Sequence, residues 1–182
     1  MLSINEVPLK DRWMFTAFEV IKYDPKYRNE EGHYLRKEWK MFSEIGKSFE
    51  DEILNYEVYR KTEDKYISAL KYLFKYYNCS SIQFSEKHFY LDDDELHIIK
   101  DEELIVFYKL LKKRRILNLE ETGMAARLIL RSALYGSFYC KGDKSIAVRF
   151  GYDFYMYFNV PENDKQIIRK YIEKEIGLFT SR

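Results

Sequence analysis

Apolar residues return at intervals of three and four along 55–78, where Ile67, Leu70, Phe74 and Tyr77 form one stripe behind Asn55, a suitable N-cap. The same spacing predicts a second helix from near Asp101, with Leu104, Tyr108 and Leu111 on one face. A third follows Asn118, whose capping box is completed by Glu121 and whose Met124 and Leu128 face inward. A fourth starts at Pro161, carries Ile168, Tyr171, Ile172 and Ile176, and stops at Gly177. Elsewhere the period drops to two. "SIQF" (81–84), "GSFYC" (136–140), "KSIAVRF" (144–150) and "YDFYMYFNV" (152–160) read as strands, with Lys141-Gly142-Asp143 as a turn and Gly151 as a bend or bulge. In the last of these, Tyr152 and Asp153 read either as part of a site or, as favoured, as members of a core strand in which Phe154, Met156 and Phe158 fill the core and Asp153 sits near a sheet edge or is hydrogen-bonded. "RWMFTAFEVIKY" (12–23) fits both strand alternation and helical spacing, and its aromatic and β-branched content tilts it to strand. "DPKYRNEEGHY" reads as a loop, and Gly46 as the end of a short turn or helix. Helices and strands follow one another without regular β-α-β alternation. The pattern therefore predicts an α+β fold: one domain over residues 1–182, with a mostly antiparallel sheet packed with about four helices.

Composition narrows the class. With 46% hydrophobic and 34% charged residues and a net charge of +1, the chain reads as globular, and no apolar run reaches membrane-spanning length. Aromatics stand out at 18%, with 17 Tyr and 13 Phe, residues that suit core edges and binding surfaces alike. Cys79 and Cys140 form no CxxC pair, so neither a zinc site nor a disulfide framework is expected. The N-terminus lacks a signal-peptide pattern, and a cytoplasmic, reduced protein is the expectation.

Little in the sequence spells catalysis. "GKS" (46–48) lacks the upstream glycine of a phosphate loop, since Met41 stands there. His88 and His97 flank an acidic run at a spacing that matches no standard zinc motif, and a calcium loop beginning at Asp92 would need glycine where His97 stands. There is no GxSxG elbow, and no cofactor is implied. Two charged stretches remain. "FYLDDDELHIIKDEEL" (89–104) holds seven carboxylates. Asp101, Glu102 and Glu103 suit a helix start, but Asp92, Asp93, Asp94 and Glu95 do not, because "LHIIK" between them reads as a short strand. They are either a solvated turn or a patch that steers a basic partner, with Phe89 and Tyr90 beside it as apolar anchors. "KLLKKRR" (109–115) is either a helix C-terminus dressed for its dipole or an RNA contact.

The order of "RWMFTAFEVIKYDPKYRNEEGHYLRKEW", "FSEIGKSF", "YRKTEDKYISA", "FGYDFYMYF" and the terminal "GLF" resembles the immunity proteins that bacteria encode beside polymorphic toxins, as in contact-dependent growth inhibition, and in particular partners of EndoU-type ribonuclease toxins. The resemblance runs from Arg12 to Phe179. It departs from the pattern at "RKEWKMFSEIG", where a more polar stretch is expected, and at the short tail. It implies a non-enzymatic inhibitor that binds a basic nuclease domain and blocks its active site or substrate path, without touching nucleic acid or membrane itself. On that reading Asp92, Asp93, Asp94, Glu95, Phe89 and Tyr90 are the partner-facing candidates.

Overall fold

The computed structural model describes residues 17–50, 52–140 and 145–181. The turn expected at Lys141-Gly142-Asp143 and the start of the 12–23 segment lie outside these residues. The architecture is α+β, as the periodicity predicts. Strands β1 (Phe18–Ile21), β4 (Ile82–Phe89), β5 (Ile116–Leu117), β6 (Leu134–Cys140), β7 (Ile146–Phe150), β8 (Met156–Asn159) and β9 (Phe179–Ser181) form one sheet in the order β5-β4-β6-β7-β8-β1-β9. Every pairing in it is antiparallel. A small hairpin, β2 (Ser48–Phe49) with β3 (Glu52–Ile53), stands apart. The helices are α1 (Tyr56–Tyr76), α2 (Glu102–Leu111), α3 (Leu119–Leu130) and α4 (Glu162–Tyr171), the last continuing as a π-helical turn to Ile176.

Side-chain alternation explains why the sheet buries one face. The register sets Phe84, Phe138, Val148, Phe158 and Phe18 in one row across five strands, all buried against the helices. On the reverse face the corresponding row is polar: Ser85, Ser137, Arg149, Tyr157, Glu19 and Ser181. Gly136 on β6 is required by the inner face, because a Cβ there would lie 2.3 Å from the Phe84 ring.

The caps fall where the sequence places them. Asn55 Oδ1 accepts the Val58 N–H (2.9 Å), and Asn118 and Glu121 exchange backbone-to-side-chain hydrogen bonds at 2.9 and 3.0 Å. Gly177 closes the last helix at φ +72°.

Five expectations need correction. The strand expected over 152–160 is confined to Met156–Asn159, because the chain turns back at 151–155 with Asp153 and Phe154 in the left-handed region. β4 runs well past residue 84 and carries a bulge between Ser85 and His88, with Glu86 at φ 56°. "LHIIK" is not a strand: Asp93–Ile99 is a 3-10 helix, with Leu96 and Ile99 buried at the three-residue spacing that such a helix eclipses. Tyr171 does not face inward, but stacks on Tyr72 at the surface with ring centroids 3.6 Å apart. Cys79 and Cys140 are joined in a disulfide across 61 residues. The pairing of Gln83 with Tyr139 explains that proximity, since an antiparallel β4–β6 register brings the entry of one strand beside the end of the other.

Candidate functional site

The acidic run is tied at its two ends by Tyr108 on α2 and by Arg131, which follows α3. The Tyr108 hydroxyl on α2 donates to the Leu91 carbonyl (2.9 Å) and accepts the Leu91 N–H (3.1 Å), fastening the chain one residue before Asp92. Burial raises the Tyr108 pKa above its ordinary value, which keeps the hydroxyl able to donate. At the other end Arg131 donates to the Ile99 carbonyl (2.7 Å). Arg131 is itself held by Glu63 through two bonds of 2.8 and 3.0 Å, and both side chains are fully buried. Burial disfavours the Arg131 charge, but the Glu63 carboxylate more than offsets this and holds its pKa above the ordinary value. The acidic segment is therefore displayed from a rigid base.

Within it the four acids are unequal. Glu95 accepts the Asp92 N–H (3.0 Å) and so helps build the turn. Asp92, Asp93, Asp94 and Glu95 are all exposed, and none makes an ion pair among the described residues. Asp101, counted at sequence level as a helix-start acid, accepts the Leu104 N–H (3.2 Å) and lies 3.7 Å from Arg60. Phe89 is not a free anchor. It is partly buried and packs edge-on against Tyr108, with centroids 5.1 Å apart. Tyr90 is 56% exposed, and its ring lies beside His88.

Tyr90 also lines a groove of about 800 Å³ that the sequence did not reveal. Tyr135, Tyr152 and Tyr157 line it too, with Met41, Leu130 and Phe150 supplying apolar surface and Lys40, Arg149 and Asp153 polar surface. The far wall is the turn Gly151–Tyr155, closed by Gly151 N–H to Tyr155 O (2.8 Å) and Tyr155 N–H to Tyr152 O (3.1 Å). Asp153 and Phe154 are consecutive left-handed residues at φ 56° and 61°, and Ser132 opposite is at φ 60°. Each such non-glycine residue costs on the order of 1 kcal/mol, and strain of this kind gathers at binding sites. The strain is held by packing. Phe154 is buried among Trp39, Tyr59 and Tyr66, and Tyr66 donates to its carbonyl at 2.6 Å. The result leaves Tyr152 93% exposed at the rim. Asp153 lies in this turn with its carboxylate 3.3 Å from the Lys40 ammonium, and both residues line the groove.

On the polar sheet face the bulge turns Glu86 outward, where it accepts from Ser137 (2.6 Å) and Arg149 (2.9 Å). A smaller hollow of about 360 Å³ near Trp39 is bordered by Arg36 and Glu50, which bind each other. Among the described residues no cluster of His, Cys, Asp and Glu could hold a metal ion, and no helix is long and apolar enough to cross a membrane. In the basic stretch, Arg114 pairs with Glu121, and Lys87 caps the end of α2 by donating to the carbonyls of Leu111, Lys112 and Arg114.

No family model, no curated protein and no solved structure matches the chain.

Proposed function

We propose that this protein works by binding: it neutralises a basic protein partner, in the manner of an immunity protein against a bacterial nuclease toxin, with an EndoU-type ribonuclease as the specific expectation. The observation that carries this reading is that Asp92–Glu95, exposed and without ion pairs among the described residues, follow within two residues of Tyr90, which lines the tyrosine-rich groove. Unpaired carboxylates speed encounter with a phosphate-binding surface and supply charge-assisted hydrogen bonds to its Lys and Arg. The exposed rings of Tyr90 and Tyr152 supply the large, stiff contact area on which interface energy concentrates. The inhibitor needs no catalytic group, cofactor or metal of its own. It acts in the cytoplasm, where a ribonuclease meets its substrate. There Cys79 and Cys140 would be kept reduced, so the fold has to tolerate the dithiol.

The test is calorimetry with the cognate toxin domain. Asp93→Asn/Asp94→Asn is the variant of choice, because it leaves the turn-building Glu95 in place. Removing two interface charges is expected to weaken binding by 10-fold or more, about 1.4 kcal/mol, and to flatten its salt dependence. Tight binding that is indifferent to this pair and to Tyr90→Ala and Tyr152→Ala would move the interface elsewhere. Binding to RNA that is lost on Lys112→Glu/Lys113→Glu, with no toxin binding, would replace the reading with nucleic-acid recognition.

A further inference from the structure

The acidic and basic stretches flank a single helix. Helix α2 buries Leu104, Phe107, Tyr108 and Leu111. A turn of 100° per residue places Glu102, Glu103, Val106, Lys109 and Leu110 together on the opposite face, continued by Lys113 in the turn that follows. That face is acidic at one end and basic at the other, with Lys109 between the two apolar residues. Glu102, Glu103, Lys109 and Lys113 are exposed and make no ion pair among the described residues, while Val106 and Leu110 are 61% and 53% exposed.

The helix macrodipole accounts for the sign at each end, but not for two large aliphatic residues at the centre of a solvent face, where polar residues are the rule. We infer that this face is a self-complementary contact for a second copy of the chain. Consider a two-fold axis passing α2 midway between Val106 and Leu110. It lays the helix antiparallel to its copy, sets Val106 against the copy's Leu110, and sets Glu103 against the copy's Lys113. The same pairs repeat on the other side, as an isologous contact requires. A separate acidic or basic partner would satisfy one end of the face and oppose the other; a second copy satisfies both. The net charge of +1 leaves little long-range repulsion between copies. A contact centred on one helix is small, so the dimer is weak and reversible. It does not depend on the toxin-binding reading, because Asp93 and Asp94 lie outside this face.

Sedimentation equilibrium across the micromolar to millimolar range reads the association directly. The wild-type chain is expected to dimerise more weakly as salt is added, since exposed charges are screened. Two sign-reversed variants are decisive: Glu103→Lys and Lys113→Glu, the pair that the axis sets in contact. Each alone places like charges in contact and is expected to weaken self-association by about 10-fold or more; mixed in equal amounts they restore it, because every contact is again opposite in sign. Leu110→Ser removes the apolar centre without altering charge and is expected to weaken the dimer as well. A wild-type chain that stays monomeric throughout the range overturns the proposal. So does a mixture that associates no better than its components, or self-association untouched by all three variants.

Discussion

Replacing Glu63 by glutamine removes the carboxylate that neutralises Arg131 between α1 and α3. The guanidinium has no solvent exposure, so in the variant it would remain buried against neutral acceptors, the substituted amide oxygen, the Ile99 carbonyl and the Tyr56 hydroxyl at 3.2 Å, with Asp101 at 3.9 Å as the remaining carboxylate. A buried charge stripped of its partner costs about 3–5 kcal/mol. For a chain of this size that lowers Tm by roughly 10 °C. Arg131→Met is expected to cost less, about 2 kcal/mol, because Glu63 keeps the Arg127 guanidinium and the loss is then dominated by the unsatisfied Ile99 carbonyl. The double variant Glu63→Gln/Arg131→Met leaves no isolated buried charge within the pair. Its loss should fall short of the sum of the two single losses by about 2 kcal/mol or more.

Urea denaturation followed by tryptophan fluorescence measures all three differences from the midpoints, provided the slopes agree. Hydrogen exchange adds a local readout. Since Arg131 holds the Ile99 carbonyl, Arg131→Met should speed exchange in the 96–100 segment before any global effect, and should loosen the acidic turn. A Glu63→Gln variant within about 1 kcal/mol of wild type would refute the reasoning, for it would mean that the guanidinium is hydrated and not sealed in. So would additive losses in the cycle.

Three further outcomes follow from the packing. The Cys79–Cys140 bond closes a loop of 61 residues, and the chain-entropy relation assigns it about 4 kcal/mol. Cys79→Ala/Cys140→Ala should lower the urea midpoint accordingly without altering the fold, and intact mass before and after reduction reports whether the bond forms in the cell. Burial holds the hydroxyls of Tyr23, Tyr59, Tyr66 and Tyr77 well above the ordinary tyrosine pKa of 10. The native state thus binds these protons more tightly than the unfolded chain. Stability is full below pH 10 and falls as pH rises beyond it, and phenolate absorbance should appear in one step on alkaline unfolding. Gly136→Ala drives a methyl group into the Phe84 ring and should cost about 1–3 kcal/mol, partly recovered in Gly136→Ala/Phe84→Leu, as read by thermal melts.

Where structure depends on local period and caps, the sequence was legible. Helix α3 is read correctly because Asn118 and Glu121 form their capping box within four residues, and the core of β8 because Met156 and Phe158 alternate. Features created by pairing between distant segments were not. The β4 bulge that turns Glu86 outward, the Cys79–Cys140 bond and the buried Glu63–Arg131 pair all follow from which strand or helix lies beside which. So does the groove, since Tyr90 and Tyr152 share it only because β4, β6, β7 and β8 are neighbours in the sheet. Among the local failures, one is instructive. Leu96 and Ile99 show a period of three, but "LHIIK" is short and β-branched and was assigned to a strand, leaving the four acids before it without a structural role. Once that segment is seen as a 3-10 helix, Asp92 and Glu95 become its opening turn and share in a fold-level task. Asp93 and Asp94 acquire no such task, since they make no ion pair among the described residues. On the proposed reading, the partner-facing acids of the run therefore narrow from four carboxylates to these two, beside an exposed Tyr90.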